Sequence, residues 1–125
     1  LIKQIEKSKK LTEEYKPKLN LIIAASYGGK WDIINAVKKF YADKKNKKLN
    51  ENSLEDYLET KSFPNPDLII RSGGEQRLSN FYLWQSSYSE LYFSEKLWPD
   101  FNKKDFEKAL EDFFSRKRKF GVETG

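Results

Sequence analysis

Apolar positions recur along this chain at two spacings, and each change of spacing marks an element. Leu19-Asn20-Leu21-Ile22-Ile23-Ala24-Ala25 is a short, nearly continuous apolar run, the pattern of a strand buried on both faces of a parallel sheet. Tyr27-Gly28-Gly29 follows as a turn, and then Ile33, Ile34, Val37, Phe40 and Tyr41 recur at helical spacing, which predicts an amphipathic helix. Ser53-Leu54-Glu55-Asp56 reads as a capping box opening a short helix to about Thr60. Pro64 and Pro66 close that segment, and Asp67-Leu68-Ile69-Ile70 predicts a second buried strand. Helices and more than a dozen residues separate the two strands, so they are expected to be parallel neighbours. Ser79 is placed to cap a helix through Phe81, Leu83, Trp84 and Tyr88, and Leu91-Tyr92-Phe93 predicts a third strand. Trp98-Pro99-Asp100 is a turn, after which Asn102 caps a last helix with Phe106, Ala109, Leu110, Phe113 and Phe114 on one face. At the start, Ile2 and Ile5 suggest the tail of a helix running to about Lys10, broken by Lys16-Pro17-Lys18. The expected class is α/β, a mostly parallel β-sheet flanked by helices.

Composition narrows the chemistry. The 125 residues suffice for one domain. Cysteine and histidine are both absent, which excludes disulfides, thiolate nucleophiles, Ser-His-Asp triads and His-ligated zinc within these residues. Chemistry must run on Arg, Lys, carboxylates, hydroxyls and backbone groups. The net charge of +5 favours anionic partners. A mean hydropathy of −0.84, with no long apolar stretch and no secretory leader pattern, points to a cytosolic protein without a membrane span. Aromatic residues make up 15%, but they fall on helix stripes and beside strands, so core packing accounts for them better than base stacking and no nucleic-acid partner is expected. The run Lys44-Lys45-Asn46-Lys47-Lys48 reads as a solvated helix end and loop.

In open α/β sheets ligands bind beyond the carboxyl ends of strands. The second strand is followed there by Arg71-Ser72-Gly73-Gly74-Glu75-Gln76-Arg77-Leu78-Ser79-Asn80, which gathers two guanidiniums, two glycines and two hydroxyls. Each Arg can fork onto two phosphate oxygens, glycine admits close approach, and a helix start adds positive potential. This is the composition of a diphosphate cradle; the plainer alternative pairs Arg71 and Arg77 with Glu75 and other local carboxylates. After the first strand, Ser26-Tyr27-Gly28-Gly29-Lys30-Trp31-Asp32 offers a second glycine turn, which a tight strand-to-helix connection needs whatever it binds. Glu90, between bulky apolar residues near the end of the expected Ser79 helix, suits either a structural pair or a ligand for a hard metal such as Mg²⁺. Spacing alone leaves both open.

The run from Ile69 to Phe81, with Leu83-Trp84-Gln85, Tyr88-Ser89-Glu90-Leu91-Tyr92-Phe93 and Leu97-Trp98-Pro99-Asp100-Phe101, closely resembles the C-terminal half of cis-prenyltransferases, specifically the bacterial undecaprenyl diphosphate synthases. Ala24 to Ile33 is similar to the central motif of that family, and Arg116-Lys117-Arg118-Lys119-Phe120-Gly121 to its closing one. Lys30 stands where Arg is common, Ser26 where Asn is common, and Lys119 where Arg is usual.

The resemblance implies a Mg²⁺-dependent homodimeric enzyme that adds isopentenyl diphosphate units to an allylic diphosphate such as farnesyl diphosphate, making a membrane lipid carrier for cell-wall synthesis. The enzyme itself would be cytoplasmic and meet the membrane through its product. By the same resemblance, Arg71, Arg77 and Ser79 hold the diphosphate of isopentenyl diphosphate, Glu90 helps place Mg²⁺ across the dimer interface, and Gly121 belongs to a tail that reaches the neighbouring subunit. The family's essential aspartate falls in a Gly-rich segment with no match here, so no catalytic residue is assigned within these residues and the aspartate is expected upstream of Leu1. Methionine is absent, even at position 1. Residues 1–125 are therefore expected to be the C-terminal half of a single-domain cis-prenyltransferase, inactive alone. A noncatalytic partner subunit is the alternative, and retention of both arginines argues against it.

Overall fold

A computed structural model describes residues 2–13, 19–43 and 48–121. Leu1, upstream of which the catalytic aspartate is expected, lies outside the described residues, as do the Lys16-Pro17-Lys18 break and most of the Lys44 to Lys48 run. Helix α1 (Ile2–Glu13) comes first and carries Ile2, Ile5 and Leu11 on the surface. Helix α2 (Gly29–Ala42) follows the glycine turn as its stripe predicts. Its buried face holds Asp32, Ala36 and Phe40, at i, i+4 and i+8, while Ile34 and Tyr41 are exposed.

Helix α3 (Glu51–Glu55) is shorter than expected and begins earlier, at Glu51. Asn50, not Ser53, is its N-cap: the Asn50 side chain accepts from the Ser53 amide at 2.8 Å, and the Ser53 hydroxyl accepts from the Asn50 amide at 2.9 Å. The capping box is present, with Ser53 at its far end. Ala36, Leu54 and Leu58 form the buried core, with Val37, Leu49, Tyr57 and Trp84 against it.

The sheet has two strands, β1 (Leu68–Arg71) and β2 (Glu90–Phe93), parallel to each other. Leu68 lies opposite Glu90 and Arg71 opposite Phe93. Helix α4 (Lys103–Ser115) packs on β2. Asn102 caps it as expected, and Asp105 completes a second capping box.

Two further expected elements are not formed. Residues 19–25 form no strand: the run carries Leu19, Leu21 and Ile23 at 84%, 81% and 81% exposure and pairs with no strand among the described residues. A strand is a property of a pair, and an apolar run without a hydrogen-bonded neighbour remains irregular. Residues 79–88 form successive turns rather than a helix. Ser79, Asn80 and Tyr82 have φ of 49°, 65° and 46°, which breaks right-handed helical geometry at its first turn. Long-range contacts hold that path, with Leu83 against Gly29, Trp84 Nε1 donating to Glu55 at 3.0 Å, and Gln85 buried at 3% exposure.

Candidate functional site

Arg71 is the last residue of β1, and the chain then turns through Gly73 and Gly74, at φ of 96° and 79°. These values lie in the region glycine adopts freely. The amides of Gly73 and Gly74 donate to the carbonyls of Lys96 at 2.7 Å and Ser94 at 2.9 Å, tying the loop to the segment after β2. The glycines therefore shape the loop, and their amides are already bonded within the protein.

The Arg71 guanidinium folds across this loop, and its Nη1 donates to the Ser79 hydroxyl at 2.9 Å and to the carbonyl of Arg77. Two of the three expected diphosphate contacts thus meet directly. Arg77 is exposed and ion-paired with Glu75, as the plainer reading anticipated for that residue. Such a surface pair holds its partners with less than about 1 kcal/mol, so a diphosphate competes readily for Arg77.

The positive helix end expected from a helix starting at Ser79 comes from elsewhere. Asn80 reaches the first turn of α2: its backbone carbonyl accepts from Gly29 N at 2.6 Å and its side-chain Oδ1 from Lys30 N at 2.9 Å. The first turn of α2 and Asn80, 50 residues apart in sequence, are neighbours in space. The helix N-terminus beside Ser79 is that of α2.

Beneath this junction lies a buried polar network that periodicity did not reveal. Asp32, 1% exposed, accepts from Tyr27 Oη at 2.7 Å, Gln85 Nε2 at 3.0 Å and the Glu59 amide at 2.9 Å. Gln85 Nε2 also donates to Thr60 Oγ1 at 2.8 Å. Burial, and next the bond to Asp32, push the Tyr27 phenol well above its ordinary value, so it remains a neutral donor. The trace of this network in the sequence is Asp32 itself, a carboxylate on the same helical stripe as Ala36 and Phe40.

Glu90 does not join the cradle within one chain. It starts β2 rather than ending a helix, and its Oε2 accepts from Arg116 Nη1 at 2.8 Å. Arg116 Nη2 bonds Asp112 at 2.6 Å. Among the described residues no three acidic side chains gather as a metal cluster, and Glu90 can offer a hard cation its one carboxylate. That fits Mg²⁺, which commonly takes one or two protein carboxylates and fills its shell with phosphate oxygens and water. The tail runs past the same end of the sheet: Arg118 pairs with Asp67 at 2.5 Å, and Gly121 lies against the Tyr88 ring of its own chain. A cleft of about 570 Å³ opens there, lined in part by Asp67, Tyr88, Arg118 and Phe120 and not by Arg71.

The structure is thus a parallel α/β unit in which an arginine and a serine meet at the carboxyl end of a strand. The family model for undecaprenyl diphosphate synthase, a prenyltransferase family, matches residues 1–121, and the chain belongs to that family. An isoprenyl transferase of Thermotoga maritima is 47% identical over 124 residues, covering 97% of this chain and 53% of that protein. A Coxiella burnetii ditrans,polycis-undecaprenyl-diphosphate synthase, specific for (2E,6E)-farnesyl diphosphate, is 44% identical over 98% of this chain and 53% of its own length. Lavandulyl diphosphate synthase from Lavandula x intermedia, solved with dimethylallyl diphosphate, superposes with a TM-score of 0.86 at 40% identity, over 94% of this chain and 52% of that one. The chain spans about half the length of the curated relatives it matches. No helix among the described residues is long and apolar enough to cross a membrane.

Proposed function

We propose that these residues are the C-terminal half of an undecaprenyl diphosphate synthase and carry its isopentenyl diphosphate site. The observation that supports this most is the Arg71–Ser79 contact at the carboxyl end of β1, beside the start of α2. Arg71 and Arg77 would bind the diphosphate by charge-assisted bonds, and the Ser79 hydroxyl would turn from Arg71 toward a phosphate oxygen. That anchors the homoallylic substrate while its double bond attacks the allylic carbon, whose C–O bond to diphosphate breaks; loss of a proton from the isopentenyl unit completes each addition. When bound, Mg²⁺ offsets the charge of diphosphate oxygens, and Glu90 would supply one of its ligands. The arginines oppose the same charge, and fixed cations in a preorganised site stabilise it without reorganisation.

Glu90 sits at the far end of the strand pair from Arg71, which supports a site shared between two copies of the chain. Residues 1–125 alone would not turn over, because the family's essential aspartate has no counterpart from Leu1 onward. The test compares Arg71→Ala, Arg77→Ala and Lys48→Ala in the protein carrying this chain. Loss of one charge-assisted contact worth on the order of 1.5 to 3 kcal/mol raises KM for isopentenyl diphosphate by about one to two orders of magnitude in the arginine variants. Equal losses in Lys48→Ala would instead indicate diffuse attraction and defeat the cradle.

A further inference from the structure

Asn80 is the residue through which the two loops of the site touch. Its carbonyl and its side-chain oxygen take the Gly29 and Lys30 amides, two of the four that begin α2 and have no partner within the helix. Gly28, the residue in the N-cap position of α2, makes no side-chain cap of its own. The cap comes instead from 50 residues away.

The approach leaves no room for side chains. A Cβ on Gly28 would stand 2.9 Å from Asn80 Nδ2, and one on Gly29 would stand 2.7 Å from Leu83 Cγ and 2.9 Å from its backbone nitrogen. On the other side, Asn80 holds φ of 65° next to Ser79 at 49°. Asparagine tolerates that conformation better than other side chains do, and it persists here because both ends of the residue are bonded across to α2. Ser79 is in turn bonded to Arg71. One continuous chain of contacts therefore runs from the start of α2 through Asn80 and Ser79 to the guanidinium at the end of β1.

We infer that Asn80 is a positioning residue for isopentenyl diphosphate: it clamps the positive end of α2, with Lys30, beside Ser79 and Arg71, so that helix and cradle face one ligand. This rests on the diphosphate site proposed above. Among the described residues the Lys30 ammonium has no carboxylate partner, which leaves its charge available to an anion brought to this place. With the side-chain bond removed, α2 keeps its own hydrogen bonds, but its first turn is free to swing from Ser79.

Asn80→Gly isolates the effect, because glycine keeps the backbone conformation and the carbonyl bond while deleting Oδ1. Three readouts on the protein carrying this chain decide it: isopentenyl diphosphate binding by calorimetry, exchange protection of the Lys30 amide, and the thermal midpoint, with Arg71→Ala alongside. The expected result is a Kd about tenfold weaker, loss of Lys30 protection, and a midpoint within about 4 °C of the unaltered protein. A purely structural role would lower the midpoint and leave Kd unchanged far below it. Binding that fails in Arg71→Ala yet is untouched in Asn80→Gly overturns the role of Asn80 alone. No saturable binding by the unaltered protein overturns the diphosphate site and this inference together.

Discussion

Arg71 and Glu90 stand at opposite ends of one two-stranded sheet, Arg71 opposite Phe93 at its carboxyl end and Glu90 opposite Leu68 at its amino end. Three residues of parallel strand separate those levels by about 10 Å. One chain therefore presents its cradle and its carboxylate to different places.

A shared site predicts complementation. If Glu90 serves the cradle of a second copy, Arg71→Ala and Glu90→Gln are each strongly impaired at limiting isopentenyl diphosphate in the protein carrying this chain, but mixing and reassembling them restores activity. In a mixed dimer one site carries both lesions and the other none. Random exchange makes about half of the dimers mixed, so recovery approaches about a quarter of the unaltered rate. No recovery on mixing, with mixed dimers demonstrated, would place both residues in one chain's site.

The buried network predicts a large stability effect from one residue. Asp32→Ala takes the acceptor from the Tyr27 phenol, the Glu59 amide and one N–H of Gln85, whose Nε2 keeps only its bonds to Thr60 and Tyr27. Stranding buried polar groups in this way costs about 3 kcal/mol or more. Asp32→Asn keeps an acceptor oxygen and should lose less. Denaturant unfolding midpoints order the three proteins.

Alkaline pH attacks the same network. Folding raises the Tyr27 phenol above the unfolded value of about 10, chiefly by burial, and Tyr57 and Tyr82 move in the same direction, Tyr57 through its bond to Asp43 and Tyr82 through burial. The unfolded chain releases these protons first. The stabilisation is therefore complete below about pH 10 and lost as pH rises from there. Tyr27→Phe should make that decline shallower without abolishing it, as midpoints measured from about pH 9 to 11 would show.

Gly29→Ala tests the close approach of α2 to Leu83. The added methyl meets a side-chain carbon of Leu83 at 2.7 Å and its backbone nitrogen at 2.9 Å, and the backbone cannot yield as a flexible side chain can. A loss of about 1 to 3 kcal/mol is expected, against a slight gain if the turn were open. Comparing thermal midpoints of the two proteins distinguishes these outcomes.

Elements made by local chemistry were legible in the sequence. Helices α2 and α4, the Asn102 cap and the two strands that pair with each other stand where the pattern places them, although Ile34, Tyr41, Phe106 and Phe114 of the expected stripes are exposed. Arg71 and Ser79 were legible as neighbours because one short loop carries both. The failures are all matters of partnership. Leu19 to Ala25 has strand composition but no neighbour among the described residues, and 79–88 has a helical stripe that distant contacts at Gly29, Glu55 and Asp32 override. Asn80 and Gln85 were invisible for the same reason, since their roles are fixed by residues about 50 positions away.

The bare run at Leu19, Leu21 and Ile23 sets how this stretch of chain behaves in a test tube. An exposed apolar segment outside any sheet is a template onto which a like segment can zip. A net charge of +5 spread over the surface does little against so local an attraction, and added salt screens even that. Preparations of residues 1–125 should therefore cloud with concentration and salt before they unfold. A lysine at position 21 or 23 is the direct remedy, because a single charge in a sticky strand is enough to frustrate edge-to-edge growth.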